Sequence, residues 1–280
     1  MINFRNSVLL KKGLRYSAYL YRPLFLNGLS PPILANAIPK SGTHLLVQIL
    51  EALPDVRDWA NFIASTPSLN LKETKGSTSA NRLNTLASGE LVGAHLFHSE
   101  EARAAIKERS ILHYLIYRDP RDIIVSEVNY LTKMNRWHRL HKTFRGFENI
   151  NDGYRYSIVG EPNQSKFYYP NIAERFARYE PWISDPSVVA LKFEDLRGPE
   201  ALIWVRHIVK AHWSANAESY DLEVAVLKCY KNIDPKRSHT FSQGRSGGWK
   251  NAFDKELKDL FKDVAGDLLI RLGYEKDHKW

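Results

Sequence analysis

A single cysteine, Cys229, stands in 280 residues, so no intramolecular disulfide can form and a reducing compartment is the simpler expectation. No run approaches the roughly 18 to 20 consecutive apolar residues of a membrane span. Near the N-terminus, Lys11, Lys12, Arg15 and Arg22 interrupt the apolar residues too often for a signal-peptide core, and the chain reads as cytoplasmic. No cluster of His, Cys, Asp or Glu has metal-ligand spacing, so no metal is expected. Internal repeats, low-complexity tracts and evident linkers are absent too. The expected organisation is one domain over residues 1–280, with the first ~30 as a packed or peripheral extension.

What is present describes a globular protein with a sizeable core: 44% hydrophobic and 25% charged residues. The formal charge of +9 points to an anionic partner, and nucleic acid, an anionic membrane surface and a polyphosphate-like cofactor all qualify. Residues 1–30 mix Val8-Leu9-Leu10, Tyr19-Leu20-Tyr21 and Leu24-Phe25-Leu26 with five basic residues, Arg5 among them. They read as a helix packed on the core, or as a basic amphipathic segment making peripheral contact with a membrane. The lack of a clean 3.6-residue period favours packing.

The most informative stretch is Ile33 to Leu53. An apolar run, Ile33 to Ile38, has the length of a buried strand. It turns through Pro39-Lys40-Ser41-Gly42-Thr43 and continues with Leu45, Leu46, Ile49, Leu50 and Leu53 on one helical face, which Pro54 stops. A strand entering a helix through such a turn leaves backbone N–H groups aimed at the turn, the helix dipole adds positive charge and the lysine adds more. That is a phosphate-type anion site. The same residues also suit a plain Gly-containing connection with a solvated lysine.

Further on, residues 61–90 are polar and read as loop or weak helix, a segment suited to a substrate lid. Leu91 to Phe97 reads as a second strand with His95 near its end, Glu100 to Lys107 as a short helix, and Ile111 to Tyr117 as a third strand buried on both faces. The alternation predicts an α/β fold, three-layered and P-loop-like, with a central parallel sheet flanked by helices. Ligands of such sheets bind beyond the C-terminal strand ends, where Lys40, His95 and Arg118 would sit. Asp119 suits an N-cap and Pro120 the first helical position, with Ile123, Ile124, Val125, Val128 and Leu131 on the buried face. Arg118 and Ser126 can converge on a second phosphate, or Arg118 can join an Arg–Asp network capping the helix. Residues 132–182 interleave basic and aromatic residues, which serves single-stranded nucleic acid, sugars, flat acceptors or ordinary packing alike. Asn171 to Trp182 reads as a helix and Ser187 to Phe193 as a fourth strand. Helices over Pro199–Ala211 and Ser219–Lys231 precede a long Gly-, Ser- and Arg-bearing loop at 232–248, suited to closing over an anion. A final helix starts near Asp254.

Four pieces in order resemble the cytosolic type of nucleotide-dependent sulfotransferase: Pro39-Lys40-Ser41-Gly42-Thr43-His44-Leu45, Gly93-Ala94-His95-Leu96, Arg118-Asp119-Pro120-Arg121-Asp122 with Ser126 eight residues after the arginine, and Ser242 to Lys250. Phe193-Glu194-Asp195-Leu196 matches a further family segment. The resemblance implies 3′-phosphoadenosine 5′-phosphosulfate as donor, adenosine 3′,5′-bisphosphate as product, and transfer of a sulfuryl group to an acceptor hydroxyl or amine without a metal. Lys40, Ser41, Gly42, Thr43 and His44 would hold the 5′-phosphosulfate. Arg118, Ser126 and the loop of Gln243, Gly244 and Arg245 would hold the 3′-phosphate, with Phe193 at the adenine. His95 would be the base and Lys40 would neutralise the leaving phosphate, with His98 as the fallback base. Leu45 stands where the family has Trp, Phe193 where it has Tyr, and Ser242-Gln243 where it has Arg-Lys, a charge Arg245 could supply. Asp254-Lys255 replaces a dimer motif, leaving the oligomeric state open. The acceptor would be a carbohydrate, a lipid head group or a small alcohol or phenol, with no specific nucleic acid. Two rivals are an ATP- and Mg²⁺-dependent P-loop small-molecule kinase, against which the lysine-before-glycine order argues, and a non-catalytic basic nucleic-acid-binding protein.

Overall fold

The computed structural model describes residues 30–161, 167–216, 220–237 and 246–280. The expectations for residues 1–29 and for Ser242 to Arg245 lie outside the described residues. The described parts of Met1–Ser65, Thr74–Tyr117 and Trp182–His239 form one compact unit; those of Thr66–Glu73, Arg118–Pro181 and Thr240–Trp280 form a second. The strands are β1 (Ile33–Ala37), β2 (Arg57–Ala64), β3 (Glu90–His95), β4 (Leu112–Tyr117) and β5 (Val188–Lys192). In chain order the helices are α1 (Thr43–Leu50), α2 (Gly76–Asn84), α3 (Glu100–Glu108), α4 (Pro120–Lys133), α5 (His141–Arg145), α6 (Ile150–Val159), α7 (Ile172–Ala177), α8 (Glu180–Ser184), α9 (Ala201–Ala215), α10 (Leu222–Lys231), α11 (Trp249–Ala252) and α12 (Lys255–Arg271).

The first unit is built on a parallel sheet of order β2-β3-β1-β4-β5. β1 lies in the middle and all its residues are buried, which is why it reads as an unbroken apolar run rather than an alternating one. Leu46, Ile49 and Leu50 of α1 join Ile33 and Ala35 of β1, Val205 and Ile208 of α9, and Val226 and Cys229 of α10 in one core. The four expected strands fall on β1, β3, β4 and β5. β2 was not expected, because residues 57–64 neither alternate nor run apolar. It is an edge strand whose register with β3 shifts between Asp58 and Phe62, where Ala60 takes φ 56°. The polar stretch 61–90 thus contains the end of β2 and all of α2.

In the second unit, Asp119 caps α4 by accepting from the Arg121 amide (2.9 Å), with Pro120 at the first helical position, as the sequence indicates. Ile123, Ile124, Val128 and Leu131 are buried, but Val125 is only half-buried, and the first-turn Arg121 and Asp122 are buried instead. The Arg121 guanidinium lies 3.7 Å from the Trp249 ring centre and 4.5 Å from that of Trp280, and it bonds Asp119 (2.7 Å) and Glu275 (2.6 Å). Glu127 accepts from Arg175 (2.8 Å), Ser157 (2.5 Å) and Tyr169 (2.8 Å). Burial pushes the Glu127 carboxyl up, but Arg175 and these hydroxyls outweigh it and hold it below the usual range. Phe144, Tyr154, Tyr169, Phe176 and Tyr179 are buried, so the aromatics of 132–182 go largely into packing. The helix expected over Asn171–Trp182 is broken into α7 and α8, since Pro181 has no N–H with which to continue a helix. No helix among the described residues is long and apolar enough to cross a membrane.

His113 on β4 is buried, its ring lies edge-on to Trp182 (4.8 Å), and neither ring nitrogen has a hydrogen-bond partner among the described residues. Burial lowers its pKa to about 3, against the pull of Asp185 and with some help from His98. The unfolded chain therefore binds this proton, from an ordinary value near 6.5, before the folded chain does, and stability falls as pH drops from about 6.5 towards 3. Removing a buried group with unmet donors is expected to be neutral or stabilising, by about 1–3 kcal/mol. His113→Leu is thus expected to hold or raise the denaturant midpoint at pH 7 and to lose less of it at pH 5 than the parent. Equal losses at pH 5 would refute a neutral buried imidazole at this position.

Candidate active site

Beyond β1 the backbone makes a tight turn in which the Ser41 amide donates to the Ile38 carbonyl (3.0 Å) and Lys40 takes φ 71°. Gly42, at φ 104° and ψ 34°, is the N-cap of α1. That is left-handed backbone, open to glycine and strained for other residues. A Cβ on Gly42 would also come within 2.6 Å of the Phe193 ring. No side chain caps α1, so its first-turn amides and its dipole face the turn. Ser41 Oγ is buried there without a hydrogen-bond partner. An unmet buried hydroxyl beside uncapped amides and a lysine is a cradle suited to an anion's oxygens. Phe193, expected at an adenine, is buried with its ring against Gly42, and its amide donates to the Tyr117 carbonyl (2.8 Å).

His95 is the last residue of β3, opposite Ala64 of β2. Its Nδ1 lies 2.8 Å from the Ala37 carbonyl, the last of β1. A carbonyl can only accept, so Nδ1 carries the proton and Nε2 the lone pair. Burial lowers the His95 pKa to about 4; the Ala37 bond opposes that shift and the Lys40 charge adds to it. Lys40 and His95 therefore belong to one electrostatic neighbourhood, and His95 is neutral at physiological pH. The Phe62 ring meets the imidazole edge-on at 5.0 Å and limits its rotation. His98, the fallback base, lies edge-on to Trp182 at 4.5 Å.

Asn36 clips these strand ends together, a role not anticipated from sequence. Its Oδ1 accepts from Leu96 N (2.8 Å) and Ala37 N (3.0 Å), and its Nδ2 donates to Leu96 O (3.0 Å). The available signal was a lone amide inside an apolar strand, since a buried polar side chain needs partners. Gln48 on α1 exchanges hydrogen bonds with the Asp234 backbone (2.9 and 3.0 Å), and Glu51 is bonded by Asn232 (3.0 Å) and Arg237. These contacts fasten the start of the 232–248 loop to α1.

In the second unit Arg118 is buried, with Nη2 3.4 Å from Asp122 Oδ2. Asp122 also accepts from the amides of Gly247 (2.8 Å) and Trp249 (3.1 Å). One carboxylate thus holds both the arginine and the far end of the glycine-bearing loop. Ser126 is half-buried one turn further along α4. Gln243, Gly244 and Arg245 are outside the described residues.

A family model described as the sulfotransferase domain matches residues 30–273. Among solved structures, mouse sulfotransferase SULT7A1 complexed with PAP is 17% identical, with 91% of this chain and 92% of that one covered at a TM-score of 0.59. Retinol dehydratase in complex with androsterone and inactive cofactor PAP is 13% identical, covering 92% of this chain and 85% of that one at a TM-score of 0.55. The complex of retinol dehydratase with retinol and PAP is 12% identical, covering 91% and 85% at 0.52. At these identities the likeness is one of fold. No curated protein matches the sequence.

The turn yields a direct test. Gly42→Ala is expected to cost about 1–3 kcal/mol of stability from the left-handed backbone and the contact with Phe193. Denaturant unfolding measures this, and a loss below about 0.5 kcal/mol, the scatter of ordinary surface changes, would be incompatible with the described turn.

Proposed function

Because the chain belongs to the sulfotransferase domain family, we propose that it transfers a sulfuryl group from 3′-phosphoadenosine 5′-phosphosulfate to an acceptor hydroxyl or amine. The observation that carries this reading is the pairing in the first unit of an uncapped helix N-terminus, holding Lys40 and the unmet Ser41 Oγ, with a neutral His95 whose Nδ1 is tied to Ala37. Lys40, Ser41, Gly42, Thr43 and His44 take the 5′-phosphosulfate. Arg118, Ser126 and the loop carrying Gln243, Gly244 and Arg245 take the 3′-phosphate. Phe193, its ring beside Gly42, packs on the adenine. PAP in the related sulfotransferase and retinol dehydratase structures agrees with this donor. The family match runs through both compact units, which supports one sulfotransferase domain.

The reaction is an in-line displacement. The acceptor O–H gives its proton to His95 Nε2 as its oxygen bonds to sulfur. The bond from sulfur to the bridging phosphate oxygen breaks, and that oxygen keeps the electron pair. Lys40 and the amides of α1 stabilise the charge that builds there. Donor anions screen Lys40, removing one of the influences that lower the His95 pKa, so His95 is a stronger base in the complex than in the free protein. The acceptor is a small alcohol or phenol, a carbohydrate or a lipid head group. Androsterone and retinol in the retinol dehydratase complexes favour the small alcohols.

Transfer of radiolabelled sulfate from the donor tests the assignment. His95→Ala is expected to keep bisphosphate affinity while turnover falls by ~100 to 10,000-fold, the usual contribution of a general base. Lys40→Ala should lose both. Undiminished turnover in the histidine variant would remove it as the base. The base must be deprotonated, so kcat/KM should hold steady down to the free-protein value of about 4 and fall below it. The acid limb of kcat should lie higher. A kcat/KM limb near 6.5 would contradict the buried, lowered histidine.

The second cradle has its own test. Arg118→Ala is expected to weaken adenosine 3′,5′-bisphosphate by about 1.5–3 kcal/mol, the range for a hydrogen bond to a charged group, and to leave adenosine 5′-monophosphate within twofold. Equal weakening of the two nucleotides would overturn the 3′-phosphate assignment.

A further inference from the structure

Past His95 the parallel pairing of β3 stops: its last registered pairs are Ala94 with Asn36 of β1 and His95 with Ala64 of β2. Beyond that point the chain is held by Asn36, Ser65 and Trp182. The His95 carbonyl accepts from the Ser65 amide (2.9 Å), and the Phe97 amide donates to Ser65 Oγ (2.9 Å). Between them, the Leu96 amide donates to Asn36 Oδ1 (2.8 Å), and the Leu96 carbonyl accepts from Asn36 Nδ2 (3.0 Å) and from the Trp182 indole N–H (3.2 Å). Every polar backbone group from the His95 carbonyl to the Phe97 amide is therefore engaged. Asn36 is wholly buried and Ser65 nearly so. The Phe62 ring packs over Gly93, where a Cβ would meet it at 3.0 Å, and closes one side of the imidazole.

Asn36 also reaches the other end of the imidazole's anchor. Its Oδ1 accepts from the Ala37 amide (3.0 Å), and the Ala37 carbonyl is the group that receives the His95 Nδ1 proton (2.8 Å). One amide thus fixes both the residue that accepts this bond and the residue that follows the histidine donating it. The residue type fits the task. An amide supplies an acceptor for two N–H groups and a donor for one carbonyl, whereas a carboxylate has no donor and an aliphatic side chain has neither. It is also uncharged, so it orients the ring without adding to the charges that shift its pKa. Were the Ala37 carbonyl or the His95 backbone to move, Nδ1 would lose its partner and both tautomers of the neutral imidazole would be populated. We propose that Asn36, backed by Ser65, is the positioning residue of His95 and keeps the imidazole in the Nδ1–H tautomer, with Nε2 turned to the acceptor. Its effect on turnover rests on the reading of His95 as the base; its effect on the tautomer does not.

Nitrogen NMR of the full chain labelled at histidine, with His95→Ala assigning the signal, reads the tautomer directly. At neutral pH the parent is expected to show His95 as Nδ1–H alone. Asn36→Leu, which removes the bonds to Ala37 and Leu96 while keeping a similar shape, should show both tautomers in exchange. In that variant kcat should fall by about 10- to 100-fold, the effect of a small misplacement, with adenosine 3′,5′-bisphosphate affinity kept within about twofold. Ser65→Ala, which removes only the bond from the Phe97 amide, should show the same changes at smaller amplitude, and it decides the outcome if Asn36→Leu does not fold. Three results would each overturn the proposal: the Nδ1–H tautomer alone in the folded variants; parental kcat in both while His95→Ala is inactive; or bisphosphate affinity falling in step with kcat, the mark of a general loss of structure. Undiminished turnover in His95→Ala would instead remove the base reading, and mixed tautomers in Asn36→Leu would still support the positioning role.

Discussion

The carbonyl that ends β1 sets the tautomer of the histidine that ends β3. Ala37 O receives the Nδ1 proton of His95 at 2.8 Å, and this contact decides which ring nitrogen can take a proton from elsewhere. The bond exists because β1 and β3 run parallel and adjacent, so that their C-terminal ends reach the same sheet edge, and because Asn36 ties Ala37 and Leu96 with one side-chain amide. Five residues after Ala37 the chain enters α1 through a left-handed glycine, which directs the helix amides at the turn. His95 and the turn into α1 thus both meet the end of one central strand. A displacement of β1 would move both together.

Burial gives this arrangement its character. A histidine lowered to about 4 is deprotonated throughout the neutral range and competes little for stray protons, but it is a weak base. The neighbouring lysine makes it weaker still. In the proposed reaction, basicity would develop only as donor anions screen that lysine. The second unit handles charge differently. Arg121, Glu127, Arg175 and Asp122 are all largely withdrawn from water, and each is met by an opposite charge or by backbone amides. Breaking one such pair leaves a buried charge without compensation, which is far more damaging than losing an exposed pair.

The legible parts of the molecule were those with local causes. Strands buried on both faces announce themselves as apolar runs, so β1, β3, β4 and β5 could be read directly, as could the Asp119–Pro120 start of α4. The Lys40 to Thr43 turn and the strand-ending His95 were visible for the same reason. β2 was not, since an edge strand with a bulge at Ala60 carries Asp, Asn and Arg with little penalty. Asn36 and Gln48, and the hold of Asp122 on Gly247, were overlooked because those partners are 60, 186 and 125 residues away. Local chemistry located the turn and the strand-ending histidine; the side chains that hold them became apparent only once distant segments were brought together. Basic and aromatic residues in 132–182 fitted several uses in sequence, and burial of most of those rings assigns them to packing.

The donor is the claim on which the functional account rests, and calorimetry of the full chain in the presence of a chelator tests it most directly. Adenosine 3′,5′-bisphosphate is expected to bind one per chain without metal, at least tenfold more tightly than adenosine 5′-monophosphate, as about 1.4 kcal/mol from the second phosphate requires. ATP with Mg²⁺ should bind more weakly than the bisphosphate. Preference for ATP with Mg²⁺, or no heat from the bisphosphate, would contradict the account.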